Sequence, residues 1–276
     1  MITTSGRTGW RNVRWQAHQN SNSEMPENTM MAVEYAWELG GIPELDIRQT
    51  ADGIIIGLHD ATLRRTTDAS EPLSEKPVST MTFEEVREWD AGIKFGESFR
   101  GEKIPSLEQV LTVLAKHPER ELYLDYKQVD LESLAELIRR FGVGSQIIFA
   151  HNDYNNCRTV KQLLPEVRTM LWVPGRDPEA SMRKFEEMRQ ADFASLDIIQ
   201  LHLIDVEEGE RSWRYRLSRP YLESACRLME QHGLELEVLP FHFDETSLPA
   251  LLDIGIRRFA VDEPRVFVEA LKRYFA

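Results

Sequence analysis

Residues 42–60 read IPELDIRQTADGIIIGLHD, a stretch holding one strand with two different faces and a turn that doubles back beside it. In PELDIR, Glu44, Asp46 and Arg48 fall on one side of an extended chain and Leu45 and Ile47 on the other, because successive strand side chains point to opposite faces. The apolar side calls for a covering layer of helices, and the charged side calls for an enclosed polar interior. Ala51-Asp52-Gly53 has turn composition, and Ile54 to His59 reads as a further extended strand folding back as a hairpin.

Working outward, ELYLDYK (121–127) has the same design. Glu121, Tyr123, Asp125 and Lys127 share one face, and Leu122, Leu124 and Tyr126 share the other. Similar runs occur at Val13–His18, Gln146–His151, Arg168–Val173, Leu196–His202, Leu234–Phe241 and Arg258–Asp262. Amphipathic stretches lie between them: from PENT to Leu39, Leu107–Lys116, Leu131–Arg140, Glu179–Arg189, Tyr221–His232 and Val266–Tyr274. About eight parallel strands alternating with helices predict an α/β fold, a (β/α)8 TIM barrel, with residues 1–276 as one domain. Residues 61–105 interrupt the rhythm with Pro72, Pro77, Gly92, Gly96, Gly101 and Pro105 around a short helix near Thr82–Trp89. A segment of that length after the second strand is expected to cap an active site.

Composition narrows the functional classes. The 276 residues carry 33 Lys plus Arg against 46 Asp plus Glu, a net charge of −13. That balance argues against nucleic-acid binding by phosphate neutralisation. No apolar run is long enough for stable membrane insertion, and the opening MITTSGRTGW lacks the apolar centre of a secretory signal, so the expected location is cytoplasmic. Cys157 and Cys226 form no disulfide framework or zinc pattern and read as reduced thiols. The acidic run Asp205 to Glu210 reads as a solvated loop after the sixth strand.

The inward faces carry the candidate chemistry. TIM barrels place their chemistry at the C-terminal ends of the strands, where Asp125 and Lys127 fall. Glu44, Asp46 and Asp125 on neighbouring strands repel one another unless a cation lies between them, which makes a hard-cation site plausible. The competing arrangement pairs Glu44 and Asp46 with Arg48 and Lys127 as inward salt bridges. His18 ends the first strand and His59 ends the hairpin strand. Two imidazoles beside carboxylates suit an acid and base pair. His151, His202 and His242 lie near other strand ends, where each lines the rim or contacts a leaving group. Trp172 either fills core or packs on a cationic substrate group.

The motifs His18-Gln19-Asn20, Pro26-Glu27-Asn28-Thr29, Glu44-Leu45-Asp46, Asp52-Gly53 and His59-Asp60 follow one another in order. They resemble the glycerophosphodiester phosphodiesterase family, whose pattern is HRG, PENT, E-x-D, a D-G turn and H-D. The likeness continues through DAGIKFGESFRGEKIPSLEQVL to LDYK, in the place of the family's E-x-K. The resemblance implies His18 and His59 as the acid–base pair, Glu44, Asp46 and Asp125 as divalent-metal ligands for Mg²⁺ or Ca²⁺, and Lys127 as a phosphate contact. It implies hydrolysis of a small-molecule phosphodiester to an alcohol and glycerol phosphate. The alternatives are a lyase releasing a cyclic phosphate or a catalytically impaired barrel that binds a phosphorylated ligand. A Schiff-base isomerase or aldolase using Lys127 would leave both histidines without a role.

The chain also departs from the family pattern. Gln19 and Asn20 replace the Arg and Gly of HRG, Asp125 replaces a Glu, and Pro240-Phe241-His242-Phe243 stands where W-T-V-N is usual. Val261-Asp262-Glu263-Pro264 keeps part of T-D-x-P. The missing Arg leaves a phosphate contact for Arg64, Arg65 or Lys94 of the insertion to supply. Gln19, Arg64, His242 and Trp172 join Lys127 as expected substrate contacts. Glu27 and Asn28 serve either the start of the first helix or the site.

Overall fold

A computed structural model describes residues 12–20, 23–206 and 213–276. The opening MITTSGRTGW and residues 207–210 of the acidic run lie outside the described residues. In chain order the strands are β1 Arg14–Ala17, β2 Ile42–Gln49, β3 Ile55–Gly57, β4 Leu122–Gln128, β5 Ile147–His151, β6 Arg168–Val173, β7 Ile198–Leu203, β8 Glu235–Pro240 and β9 Arg258–Val261. Eight of them pair in parallel from β1 through β9, β8, β7, β6, β5 and β4 to β2, and β2 returns to β1. The sheet is therefore a closed barrel. The ninth, β3, pairs antiparallel with β2, setting Ile56 opposite Arg48, as the hairpin reading of residues 54–59 requires. Gly57 makes this doubling back possible, since a Cβ there would lie 2.6 Å from the Leu45 side chain.

The helices are α1 Met30–Glu38, α2 Phe83–Arg87, α3 Leu107–Leu114, α4 Leu131–Phe141, α5 Tyr154–Leu163, α6 Pro178–Gln190, α7 Arg219–Gln231, α8 Ser247–Asp253 and α9 Pro264–Phe275. Most of their starts, α8 and α9 apart, follow ordinary side-chain capping chemistry. Thr29 Oγ1 accepts from Ala32 N–H at 3.2 Å, and Ser106 with Gln109 forms a capping box. No helix among the described residues is long and apolar enough to cross a membrane. Cys157 and Cys226 are free thiols, the first buried and the second half-buried.

Three apolar clusters result. Leu45, Ile47, Leu122 and Leu124 are fully buried in the layer between strands and helices. Truncating one of them to Ala costs about 2–5 kcal/mol. Ile42, Tyr123, Ile148, Met170 and Ile198 fill the barrel interior. Leu58, Leu63, Val78, Met81, Val86 and Ile104 form a separate core within and beside the insertion. Asp90 ties that insertion together by accepting the backbone N–H groups of Gly92, Ile93 and Gly101.

Candidate active site

A cavity of about 150 Å³ opens among the C-terminal ends of the strands. Gln16, His18 and Gln19 line it from β1 and the turn after it, Glu44 and Asp46 from β2, and His59 from just beyond β3. Asp125 and Lys127 enter from β4, Met170 and Trp172 from β6, and Gln200 and His202 from β7. The register explains the convergence, because Asp46 is paired directly with Asp125 across β2 and β4. Glu44, Asp46 and Asp125 are all buried, and each offers a carboxylate oxygen within 4.8 Å of the others.

Three backbone and amide contacts set this trio. Asn28 sits at φ 56°, in the left-handed region. Its side chain donates from Nδ2 to Asp46 Oδ2 at 2.8 Å, and its Oδ1 accepts from Asp46 N–H at 2.9 Å. Gln19 is also left-handed at φ 45°, a conformation costing a non-glycine residue about 1–2 kcal/mol. That turn aims its backbone N–H at Glu44 Oε2, at 2.5 Å. The PENT motif therefore supports the site through Asn28 as well as capping α1 through Thr29.

Lys127 Nζ lies 2.5 Å from Asp125 Oδ2 and 3.0 Å from Asp46 Oδ1. Arg48 turns away to donate from Nε and Nη2 to the His59 carbonyl, at 2.9 and 2.8 Å. The inward salt-bridge arrangement thus holds for Lys127 and not for Arg48. Even so, one lysine does not complete the carboxylate set. Asp46 Oδ1 is buried and accepts no aligned hydrogen bond, although the ammonium is near it. Burial, opposed by His18 and reinforced by Asp46 and Asp125, pushes Glu44 up to about 8. Burial also raises Asp125 despite its lysine partner. Three buried carboxylates gathered around a single ammonium offer hard oxygen donors that could coordinate a divalent cation.

The histidines each have a carboxylate behind them. His18 Nδ1 is 2.7 Å from Asp262 Oδ1, and His59 Nδ1 is 2.8 Å from Asp60 Oδ1. Burial disfavours a charged His18, but the Asp262 hydrogen bond and the Glu44 and Asp46 charges outweigh it and raise His18 to about 9. Arg65 forks onto both oxygens of Glu27, at 2.6 and 2.7 Å, and onto Asp60 at 2.8 and 3.0 Å. Its hydrogen bond draws Asp60 down to about 2.

The structure brings His18, Gln19, Glu44, Asp46, His59, Asp125, Lys127 and Trp172 to one cavity. Two expected substrate contacts do not line it. Arg64 is exposed and pairs with Glu75 at 3.3 Å, while His242 is exposed with Nδ1 3.2 Å from Asp205. Both follow loop paths that strand alternation does not govern. Lys94 donates to the Arg64 carbonyl, and Arg65 is committed to Glu27 and Asp60, so neither stands in the cavity for the missing Arg. Gln16 and Gln200 also line the cavity, and their strand parity is the only local signal of it. His202, one of three rim histidines in the sequence, is the one that lines the cavity.

A closed eight-stranded α/β barrel with converging carboxylates and histidines at its C-terminal mouth defines a TIM barrel with a candidate metal-assisted acid–base site. The chain belongs to the glycerophosphoryl diester phosphodiesterase family, whose model matches residues 18–238. A glycerophosphodiester phosphodiesterase of Caldanaerobacter subterraneus subsp. tengcongensis is 33% identical over 163 residues, 55% of this chain and 63% of that protein. The match thus spans less than two thirds of that relative's length. A glycerophosphodiester phosphodiesterase of Bacillus subtilis is 24% identical over 94% of this chain and 86% of its own. Among solved structures, the enzyme of Agrobacterium tumefaciens shares the fold with a TM-score of 0.71 at 22% identity, covering 93% of this chain and 99% of that one. An Oleispira antarctica phosphodiesterase, solved with the product sn-glycerol-3-phosphate, gives 0.69 at 20% identity over 94% and 96%.

Proposed function

We propose that this chain hydrolyses a glycerophosphodiester, or a closely related phosphodiester, to an alcohol and glycerol phosphate, using His18 and His59 as its acid–base pair. The observation that carries the reading is the convergence of Glu44, Asp46 and Asp125 with both histidines and Lys127 on one small cavity. Family membership supports the reaction class.

Glu44, Asp46 and Asp125 would hold the divalent cation. When bound, it would polarise a phosphoryl oxygen and offset charge that develops in the transition state. Lys127 balances Asp46 and Asp125 and offers its ammonium to another phosphoryl oxygen. Attack at phosphorus forms one P–O bond and breaks the ester P–O bond on the opposite side. The attacking hydroxyl, of water or of the substrate's own glycerol, gives its proton to one imidazole, and the departing alkoxide takes a proton from the other; where the glycerol hydroxyl attacks, a water then opens the cyclic phosphate to glycerol phosphate. His18, raised by Asp262, starts as the donor, which leaves His59 as the acceptor. A cation's positive charge beside Glu44 would draw His18 back toward neutrality, where proton donation is more effective.

His18→Ala and His59→Ala test the assignment. Each is expected to lower kcat at least 100-fold. The half-exposed His59 should leave the melting temperature nearly unchanged on replacement. Retention of wild-type kcat by either variant would remove that histidine from the mechanism.

A further inference from the structure

His202 lines the cavity, yet the acid–base scheme gives it no task. Its environment fixes its chemistry through a chain of buried groups that begins at Arg258. Arg258 donates from Nη2 to Tyr123 Oη at 2.6 Å, and its Nε lies 3.3 Å from Glu237 Oε2. Tyr123 Oη, with its acceptor role taken by Arg258, donates to Glu237. Glu237 is fully buried, and its cationic partner and the phenol hold it as an acceptor. Gln200 then donates from Nε2 to Glu237 Oε1 at 2.6 Å and to Gln16 Oε1 at 3.0 Å.

Both amide hydrogens of Gln200 are now used. Turning the amide over would set its oxygen against the Glu237 carboxylate, two acceptors with no proton between them. Gln200 Oε1 must therefore face His202 Nε2, which lies 2.9 Å away. Only an Nε2–H imidazole can fill that contact. The Nδ1 lone pair is left bare, and Nδ1 has no protein partner among the described residues. The ring itself is immobilised, stacked on Trp172 at 5.4 Å and 10° and meeting Phe241 edge-on at 5.7 Å. Burial and the nearby His18 push its imidazole down to about 3, so it remains neutral.

We propose that His202 is a specificity residue of this cavity, accepting through Nδ1 a hydrogen bond from a hydroxyl on the glycerol portion of the phosphodiester, with Gln200 as the positioning residue that fixes its tautomer. A bare lone pair attracts a hydroxyl donor and repels the acceptor-only oxygens of a phosphoryl group. His202 thus favours a polyol ester over an alkyl ester of the same size. The assignment rests on the phosphodiesterase reading and names the part of the substrate that meets β7.

The test uses full-length, ¹⁵N-histidine-labelled protein with Mg²⁺ and two monoester probes, sn-glycerol 3-phosphate and propyl phosphate, which differ only in their hydroxyls. In the wild type, His202 should show a protonated Nε2 and a bare Nδ1 at neutral pH. Glycerol phosphate should shift the Nδ1 resonance, and propyl phosphate should not. His202→Phe, which keeps the stacking, should weaken glycerol phosphate about tenfold and leave propyl phosphate unchanged. Gln200→Leu should mix the two tautomers, a spectroscopic change that simple loosening of the barrel does not produce. A protonated Nδ1 in the wild type, or equal affinity for the two probes, would overturn the proposal while leaving the phosphate site standing. Failure of both probes to bind would instead remove the phosphodiesterase reading, and this proposal with it.

Discussion

The His18 imidazole and the Asp262 carboxylate meet at 2.7 Å although 244 residues separate them, joining the first and last barrel strands at the mouth. The contact sets a pH dependence. His18 rises from 6.5 to about 9, so its stabilising contribution is complete below pH 6.5 and is lost as pH climbs through 9. Glu44 rises from 4.5 to about 8, mainly by burial, so its favoured protonated form is likewise lost between those values. Both act in the same direction. Melting of chelator-treated protein should show Tm falling steadily from pH 5 to pH 9, and excess Mg²⁺ or Ca²⁺ should flatten the fall by compensating the carboxylates. Asp262→Asn should shrink the part of the fall that His18 contributes and leave the Glu44 part, up to about pH 8, in place. A Tm independent of pH without metal would contradict the charge balance drawn for this site.

Asn28 grips Asp46 from both sides, through its side-chain amide to Oδ2 and through its Oδ1 from the backbone N–H. Asn28→Ala leaves the Asp46 N–H without its acceptor and Asp46 free to turn. The expected result is a loss of about 1–3 kcal/mol in stability and a roughly 10–100-fold weaker cation. Calorimetric titration with Ca²⁺ or Mn²⁺, beside a denaturant melt, reads both effects. Unchanged cation affinity would make Asn28 a helix-start residue only.

Adjacent arginines in the insertion should behave in opposite ways. Arg65 holds Asp60, which in turn orients His59, and it anchors Glu27 beside them. Arg65→Ala should reduce kcat about tenfold with little change in KM, since it loosens the base without touching substrate. Arg65→Lys should recover only part of this, because a lysine cannot fork onto two carboxylates. Arg64→Ala, which removes an exposed ion pair with Glu75, should leave both constants unaltered. Steady-state kinetics on one phosphodiester compares all three, and a defect in Arg64→Ala equal to that in Arg65→Ala would contradict the placement.

Much of this architecture can be read from strand parity alone. PELDIR and ELYLDYK announce which side chains enter the barrel, and adjacency of their strands brings Asp46 opposite Asp125. The hairpin at Asp52-Gly53 and the break at residues 61–105 are visible in turn-forming residues. Helices α5 and α8 are less visible. The first has a polar sequence, YNNCRTVKQL, and the second is only seven residues long. Contacts such as His18 with Asp262, Asn28 with Asp46 and Arg65 with Glu27 depend on closure of the barrel and on loop direction, which no local period encodes. The same limit explains Arg64 and His242, whose segments leave the strand ends at angles set by tertiary packing. Gln16, Gln200 and Glu237 could have been singled out as polar residues at inward positions, although their mutual hydrogen bonds could not.

The most direct test is phosphorus NMR of the purified protein with a panel of glycerophosphodiesters, run with Mg²⁺ or Ca²⁺ and again with chelator. The account predicts disappearance of the diester and growth of a glycerol phosphate monoester with the metal, and an unchanged diester signal without it. A cyclic phosphate that accumulates and persists would contradict hydrolysis and identify a lyase. An unchanged diester across the panel, with metal present, would contradict turnover itself and leave a barrel that binds a phosphorylated ligand.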